Sequence, residues 1–193
     1  MSRYSTLPLT MIVLTVFAGC ATSPTPKFYT LSAVPVVEQQ RPDAGAIAIA
    51  IDPVTVPELV DRPQIVSTLD ANRVSMDESA RWADPLKSQI PRTLAADLTQ
   101  LMPGAIVSTY PQRVDENAWR VSVDVQNFDS STSGAVTLAV IWSVRAPKGG
   151  ARLSGRSVVH EAANGPGYDE RGEAHSGALA SVARDIAAAM RSA

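Results

Sequence analysis

Residues 28–193 are expected to fold as a single α/β domain, a mixed β-sheet with two main helices packed on it. Two observations carry this. Segments 47–51, 119–126, 136–144 and 153–161 have the composition and period of strands, while 86–101 and 179–190 carry apolar residues at helical three- and four-residue steps. The order is strands, helix, strands, helix, with no internal repeat, which fits one core rather than two.

Phe28-Tyr29-Thr30-Leu31 opens the domain as a short strand. Phe28 and Tyr29 most simply enter the core; a lipid-facing or partner-facing pair is the other reading. Residues 35–45 read as a polar loop. Ile47, Ile49 and Ile51 alternate with Ala48 and Ala50, so both faces of that strand should be covered. Val54 and Val56 fall on the opposite parity, and the intervening Asp52-Pro53 argues for a bulge or bend. Gln64–Leu69 and Arg73–Asp77 then form a hairpin turning at Asp70-Ala71-Asn72.

Asp84-Pro85 suits a helix start, with Asp as N-cap and Pro at the first helical position. Leu86, Ile90, Leu94, Leu98 and Leu101 make one apolar stripe. Pro91 inside it lacks an N–H and predicts a kink, or a regular start delayed to Arg92. Pro103-Gly104 ends the helix. Residues 105–110 are a strand. Trp119, Val121, Val123 and Val125 alternate with polar residues up to Gln126, the pattern of a half-exposed strand. Val136–Val144 is apolar at nearly every position and should be central. Lys148-Gly149-Gly150 turns the chain into a strand at 153–161. After an Asn164–Gly167 loop, Leu179, Val182, Ile186 and Met190 stripe a C-terminal helix whose start is blurred by Gly172 and Gly177.

The N-terminus has the layout of a signal peptide, residues 1–19. Arg3 supplies positive charge, Leu9–Phe17 a short apolar run, and Ala18-Gly19 small residues before Cys20. A membrane-spanning helix needs about 20 apolar residues, more than this run contains. Small residues followed directly by Cys resemble a lipobox, with Phe17 where Leu is usual. That resemblance implies cleavage before Cys20 and a thioether-linked diacylglycerol on it, with a further acyl chain such as palmitate on the new amine. Ala21 rather than Asp after the Cys implies sorting to the outer membrane. With Cys20, the Pro/Thr/Ser-rich segment to Lys27 forms a tether that holds a periplasmic domain (28–193) off the membrane.

The 193 residues carry a formal charge of −2, and removal of residues 1–19 takes away Arg3 and leaves −3. That balance has no basic excess of the kind nucleic-acid binding requires. Cys20 is the only cysteine, so a lipidated chain has no thiol for a disulfide or metal. His160 and His175 are the only histidines; His160 reads as a strand-rim residue and His175 as a solvated one near a helix start. No HExxH, paired Cys, G-x-S-x-G elbow or glycine-rich phosphate loop is present. Catalytic residues, metal ligands and cofactors other than the covalent lipid are therefore not expected, and any ATPase would be a separate subunit.

Asp61-Arg62-Pro63-Gln64 and Arg81-Trp82 each have two readings. Arg62 and Gln64 could be directional donors at a partner-facing edge, or Asp61 and Arg62 could pair within a turn fixed by Pro63. Arg81 and Trp82 could anchor an interface, or Trp82 could pack under the helix N-terminus. Trp119 and Trp142 are most simply core. Val136–Val144 could line a lipid groove, though a buried strand explains it as well.

The stretch from Val54 to Gly104 joins a proline-punctuated strand, Asp-Arg-Pro-Gln-Ile-Val, a lone Trp and an amphipathic helix. With the FYTL start after the tether, it resembles the PqiC/YmbA family, auxiliary lipoproteins of ABC-type and MCE-type lipid transport systems. The resemblance implies a non-enzymatic outer-membrane lipoprotein that docks an MCE-domain tunnel and supports phospholipid transport and envelope integrity. Its implied partners are the MCE-domain protein and an inner-membrane permease, with a homo-oligomer reasonable. The alternatives are a stand-alone lipid-binding lipoprotein and a structural lipoprotein of another envelope complex.

Overall fold

The computed structural model describes residues 25–35, 47–110 and 116–193. The signal peptide, Cys20, most of the tether and most of the 35–45 loop lie outside the described residues.

The described residues form eight strands and two α-helices. They are β1 (Lys27–Tyr29), β2 (Ala48–Ile51), β3 (Gln64–Asp70), β4 (Arg73–Trp82), α1 (Leu86–Leu101), β5 (Ile106–Thr109), β6 (Trp119–Ser130), β7 (Ala135–Arg145), β8 (Arg152–Ala162) and α2 (Tyr168–Arg191). The α/β class holds, with both helices against strands. The strands divide into two linked sheets where one was expected: three strands in the order β1-β4-β3, and five in the order β5-β2-β6-β7-β8. β2 runs parallel to β5 and β6, while β6, β7 and β8 form an antiparallel meander. A bridge from Thr55 to Asp124 joins the segment after β2 to β6, and one from Thr68 of β3 to Ser131 joins the smaller sheet to the turn after β6. The division follows from Asp52-Pro53: the chain leaves the ladder there, as its phase flip predicts, and Val54 is buried after the bend.

Every residue of the α1 stripe is buried, with Leu94 and Leu98 at 0% exposure. The helix starts at Leu86 and runs through Pro91, not from Arg92. Pro85 takes the capping position, one residue later than expected, and Asp84 instead pairs with Arg92 at 2.5 Å. α2 starts at Tyr168, and Gly172 and Gly177 lie inside it. At the far ends, Arg191 donates to the Leu101 carbonyl at 3.2 Å, tying α2 to the C-terminus of α1.

β6 contains the register shift that shapes the core. Val121, Val123 and Val125 face inward, Gln126 is extra, and parity flips so that Phe128 and Ser130 face inward instead. β7 is an interior strand, second from the β8 edge, with its even-numbered residues buried. Trp142 lies over Gly155 of β8; a Cβ there would sit 2.3–2.8 Å from the indole ring. Its Nε1 donates to Ser157 Oγ (2.9 Å), which donates to Asp185 of α2 (2.5 Å). Trp119 is half-buried against the same core. The opposite face of the meander carries polar residues together with Ile141 and Val158, 45% and 43% exposed.

Residues 31–34 form a strap between the helices. The Leu31 and Val34 amides donate to Gln89 Oε1 (2.7 Å) and Asp97 Oδ1 (3.1 Å) of α1, and the Ser32 amide donates to Ser176 Oγ of α2 (3.2 Å). An extended segment has unpaired amides, and buried amides require partners. Gln89, Thr93 and Asp97 accordingly make a buried polar stripe beside the apolar one.

Candidate functional site

Three short segments converge at the start of α1: Phe28 on β1, Asp61–Pro63 before β3, and Arg81–Pro85, which runs from the end of β4 into α1. Backbone bonds fix them together. The Trp82 amide donates to the Pro63 carbonyl (2.7 Å) and the Ala83 amide to the Tyr29 carbonyl (2.8 Å), while Asp61 and Arg62 close a turn on Pro57 and Val60. Between them lies a groove of about 350 Å³ with Trp82, Pro63, Pro85 and Phe28 as apolar lining.

Phe28 is 65% exposed at the rim, not in the core. The short edge strand β1 sends neighbouring side chains to opposite faces, and Tyr29 takes the inner one, 5.7 Å from the Tyr168 ring. Trp82 is 5% exposed, packed edge-on to Phe128 and His175 at 5.9 and 6.1 Å. Its packing role is therefore real, but it is played between β6 and α2 rather than beneath the N-terminus of α1.

The charges around the groove are unequally matched. Asp61 pairs with Lys87 at 2.5 Å, not with Arg62, and Asp84 pairs with Arg92. Arg81 Nη2 bonds Glu78 at 2.6 Å, and Gln64 Nε2 donates to the same carboxylate at 3.1 and 3.2 Å. Gln64 therefore flanks the groove without lining it. Arg62 has no carboxylate partner among the described residues. Its Nη1 touches Met76 Sδ at 3.0 Å, and its Nε is buried without a partner. A guanidinium with spare donors beside an apolar groove is suited to an anionic or carbonyl-rich partner group. Three of the four residues singled out in sequence thus share one groove, and of its two arginines only Arg62 lacks a carboxylate partner among the described residues.

His175 is buried at 2% exposure, contrary to the solvated position expected for it. α2 begins before it, so it lies on the helix's inner face. Burial, with Arg171 nearby, holds its pKa down at about 3, so it is neutral at physiological pH. Arg171 is also buried, donating to Ser67 Oγ (2.8 Å) and the Pro166 carbonyl (2.7 Å) with its guanidinium over the Tyr168 ring at 4.7 Å. Stepping back four residues at a time from Leu179 reaches His175 and then Arg171; that spacing was the available signal. His160, on the opposite face of the sheet, contacts Thr137 Oγ1 at 3.0 Å. Among the described residues no cluster of three His, Cys, Asp or Glu side chains could hold a metal, and no helix is long and apolar enough to cross a membrane.

The family model described as ABC-type transport auxiliary lipoprotein component matches residues 29–187. The chain belongs to that family. This auxiliary lipoprotein is 28% identical over 127 residues to "Intermembrane transport lipoprotein PqiC" of Escherichia coli (strain K12), and to the Shigella flexneri protein of the same name at the same figures. The match covers 65% of this chain and 66% of each relative. The fold of the auxiliary lipoprotein is shared with a solved crystal structure of an uncharacterized protein, at a TM-score of 0.73 and 21% identity over 86% of this chain and 99% of the other. A Xanthomonas campestris crystal structure shares it at 0.65 and 15% identity, over 83% and 92% of the two chains.

Proposed function

We propose that this chain is the lipoprotein subunit of an intermembrane lipid transport system of the MCE/ABC type. It is anchored at the periplasmic face of the outer membrane through lipid on Cys20 and engages its partner with the Arg62 groove. The family match makes it an auxiliary component rather than the motor, and the PqiC relatives' name supplies the intermembrane setting. One observation carries the choice of surface. Among the described residues, Arg62 alone of the groove's charged side chains lacks an opposite charge, at a turn held by backbone bonds beside an exposed Phe28. A preformed turn loses little entropy on binding, and the neighbouring acids are already neutralised. The partner is an MCE-domain protein or a second copy of this chain.

The test pairs a thermal melt with capture from membranes, using tagged wild-type protein and Arg62→Glu. The melt should be unchanged, because no structural ion pair is broken, while capture of the MCE protein and self-assembly weaken. Unchanged capture at normal stability would remove the groove from the interface. Lipid co-eluting with the wild-type domain, with no partner captured, would favour the stand-alone carrier instead. The anchor is tested separately: Cys20→Ser should abolish fatty-acid labelling and membrane attachment, and Ala21→Asp should move the protein toward the inner membrane.

A further inference from the structure

The uncovered face of the β6-β7-β8 meander carries an ordered array. Arg120, Arg145 and Arg152 stand directly across the three strands in register. The next row is Ser122, Ser143 and Ser154. Beyond it come Asp124, Ile141 and Arg156 in register, then Val158, and the turn beside the arginine row adds Lys148. The acids of this face lie at its β6 end and are engaged there: Asp52 bonds both Arg120 and Ser122, and Asp124 accepts from Thr55 and Gln126. Arg145, Lys148, Arg152 and Arg156 are exposed and have no ionic partner among the described residues. An open groove of about 480 Å³ runs over the serine row, bounded on the β6 side by Asp52 and Asp124, and the unpaired cations stand beyond it toward β8.

We propose that this face binds the phosphate groups of an anionic phospholipid bilayer. Like charges directly opposite on adjacent strands destabilise a sheet, so the Arg145–Arg152 pair costs stability until an anion arrives. Guanidinium forks and hydroxyls are the donors that phosphate oxygens take. The rows span three strands, about 10 Å at the usual strand spacing, on an open face of the sheet. Such a surface holds one small anion weakly but matches an array of phosphates. Exposed Ile141 and Val158 beside the cations add the apolar contact of an interfacial surface. Basic residues near an anionic membrane contribute about 1 kcal/mol each. The chain as a whole is acidic, so the concentration of cations here is local and opposes its overall charge. This face is separate from the Arg62 groove and stands or falls independently of it.

The experiment is vesicle co-sedimentation of the chain from Thr25 onward, which contains every core residue named above. Vesicles are phosphatidylcholine with and without phosphatidylglycerol. Binding is expected only with phosphatidylglycerol and should fall as salt is raised. Arg145→Gln/Arg152→Gln should lower the partition coefficient about 30-fold, the loss of two such contacts. Its melting temperature should be unchanged or raised, since a like-charge opposition is relieved. Lys148→Glu, in the exposed turn, should weaken binding without touching the sheet, and Arg62→Glu should bind vesicles as wild type does. Equal binding to neutral vesicles, wild-type binding by both meander variants, or displacement by millimolar inorganic phosphate would overturn the proposal. The last result would mark a site for a small anion only.

Discussion

His175 of α2 lies flat on Phe128 of β6, ring centroids 3.9 Å apart and planes within 1°. The contact exists because the β6 bulge turns Phe128 inward, and it fixes a neutral imidazole in an aromatic cluster with Trp82. His175 Nδ1 has no hydrogen-bond partner there, and protonation would place a charge beside Arg171.

That burial links folding to pH. The His175 pKa falls from 6.5 to about 3 in the folded state, so its contribution is present above pH 6.5 and is lost as pH falls toward 3. Asp97 has the opposite sign. Burial lifts its pKa from 3.8 to about 6, so the folded state holds that proton more tightly and stability falls as pH rises between those values. The Val34 amide and Arg184 pull it back only partly. From about pH 4 to 6 the two effects oppose one another, each with a limiting slope of about 1.4 kcal/mol per pH unit. Asp97→Asn should expose the His175 slope, and denaturant midpoints across this range should drop steeply on acidification while wild type changes less. Parallel curves for the two proteins would refute the linkage.

Gly155→Ala should destabilise the domain by about 1–3 kcal/mol, because the new methyl overlaps the Trp142 ring. Near-UV circular dichroism and a chemical melt report both the indole's displacement and the stability loss.

Leu94→Ala and Leu98→Ala should each cost about 2–5 kcal/mol, since both side chains are fully buried. A loss well under about 1 kcal/mol at either site would contradict the packing of α1.

Arg171→Lys should destabilise despite keeping the charge. An ammonium cannot reproduce the fork that reaches Ser67 and Pro166 while lying over Tyr168. A loss of about 1.5–3 kcal/mol, the range for a hydrogen bond to a charged group, is expected in equilibrium unfolding.

The helices were legible in the sequence because their apolar residues repeat at helical spacing and all face one core. What stayed hidden has specific causes. The bulge at Gln126 reverses the alternation, so Phe128 and Ser130 do not extend the pattern set by Val121, Val123 and Val125. β4 continues to Trp82, but its first half is an exposed ribbon with little apolar alternation. The burial of Gln89 and Asp97 leaves no mark in the sequence, because their partners are amides of a distant segment, which no helical period encodes. In the groove, Arg62, Arg81 and Trp82 could be placed near one another. The role of Asp61 could not, since Lys87 is 26 residues away on α1. The three-arginine row is invisible along the chain and exists only through strand register.

The strap between the helices has a mechanical consequence. Any pull at the N-terminal end of the domain reaches β1 first and then residues 31–34, held by Gln89, Ser176 and Asp97. Because those bonds lie on both helices, tension is shared between α1 and α2 instead of peeling one element from an edge. A domain suspended by its N-terminus would thus carry its load through its own helix interface, and loosening the strap would slacken the suspension before it unfolded the sheets.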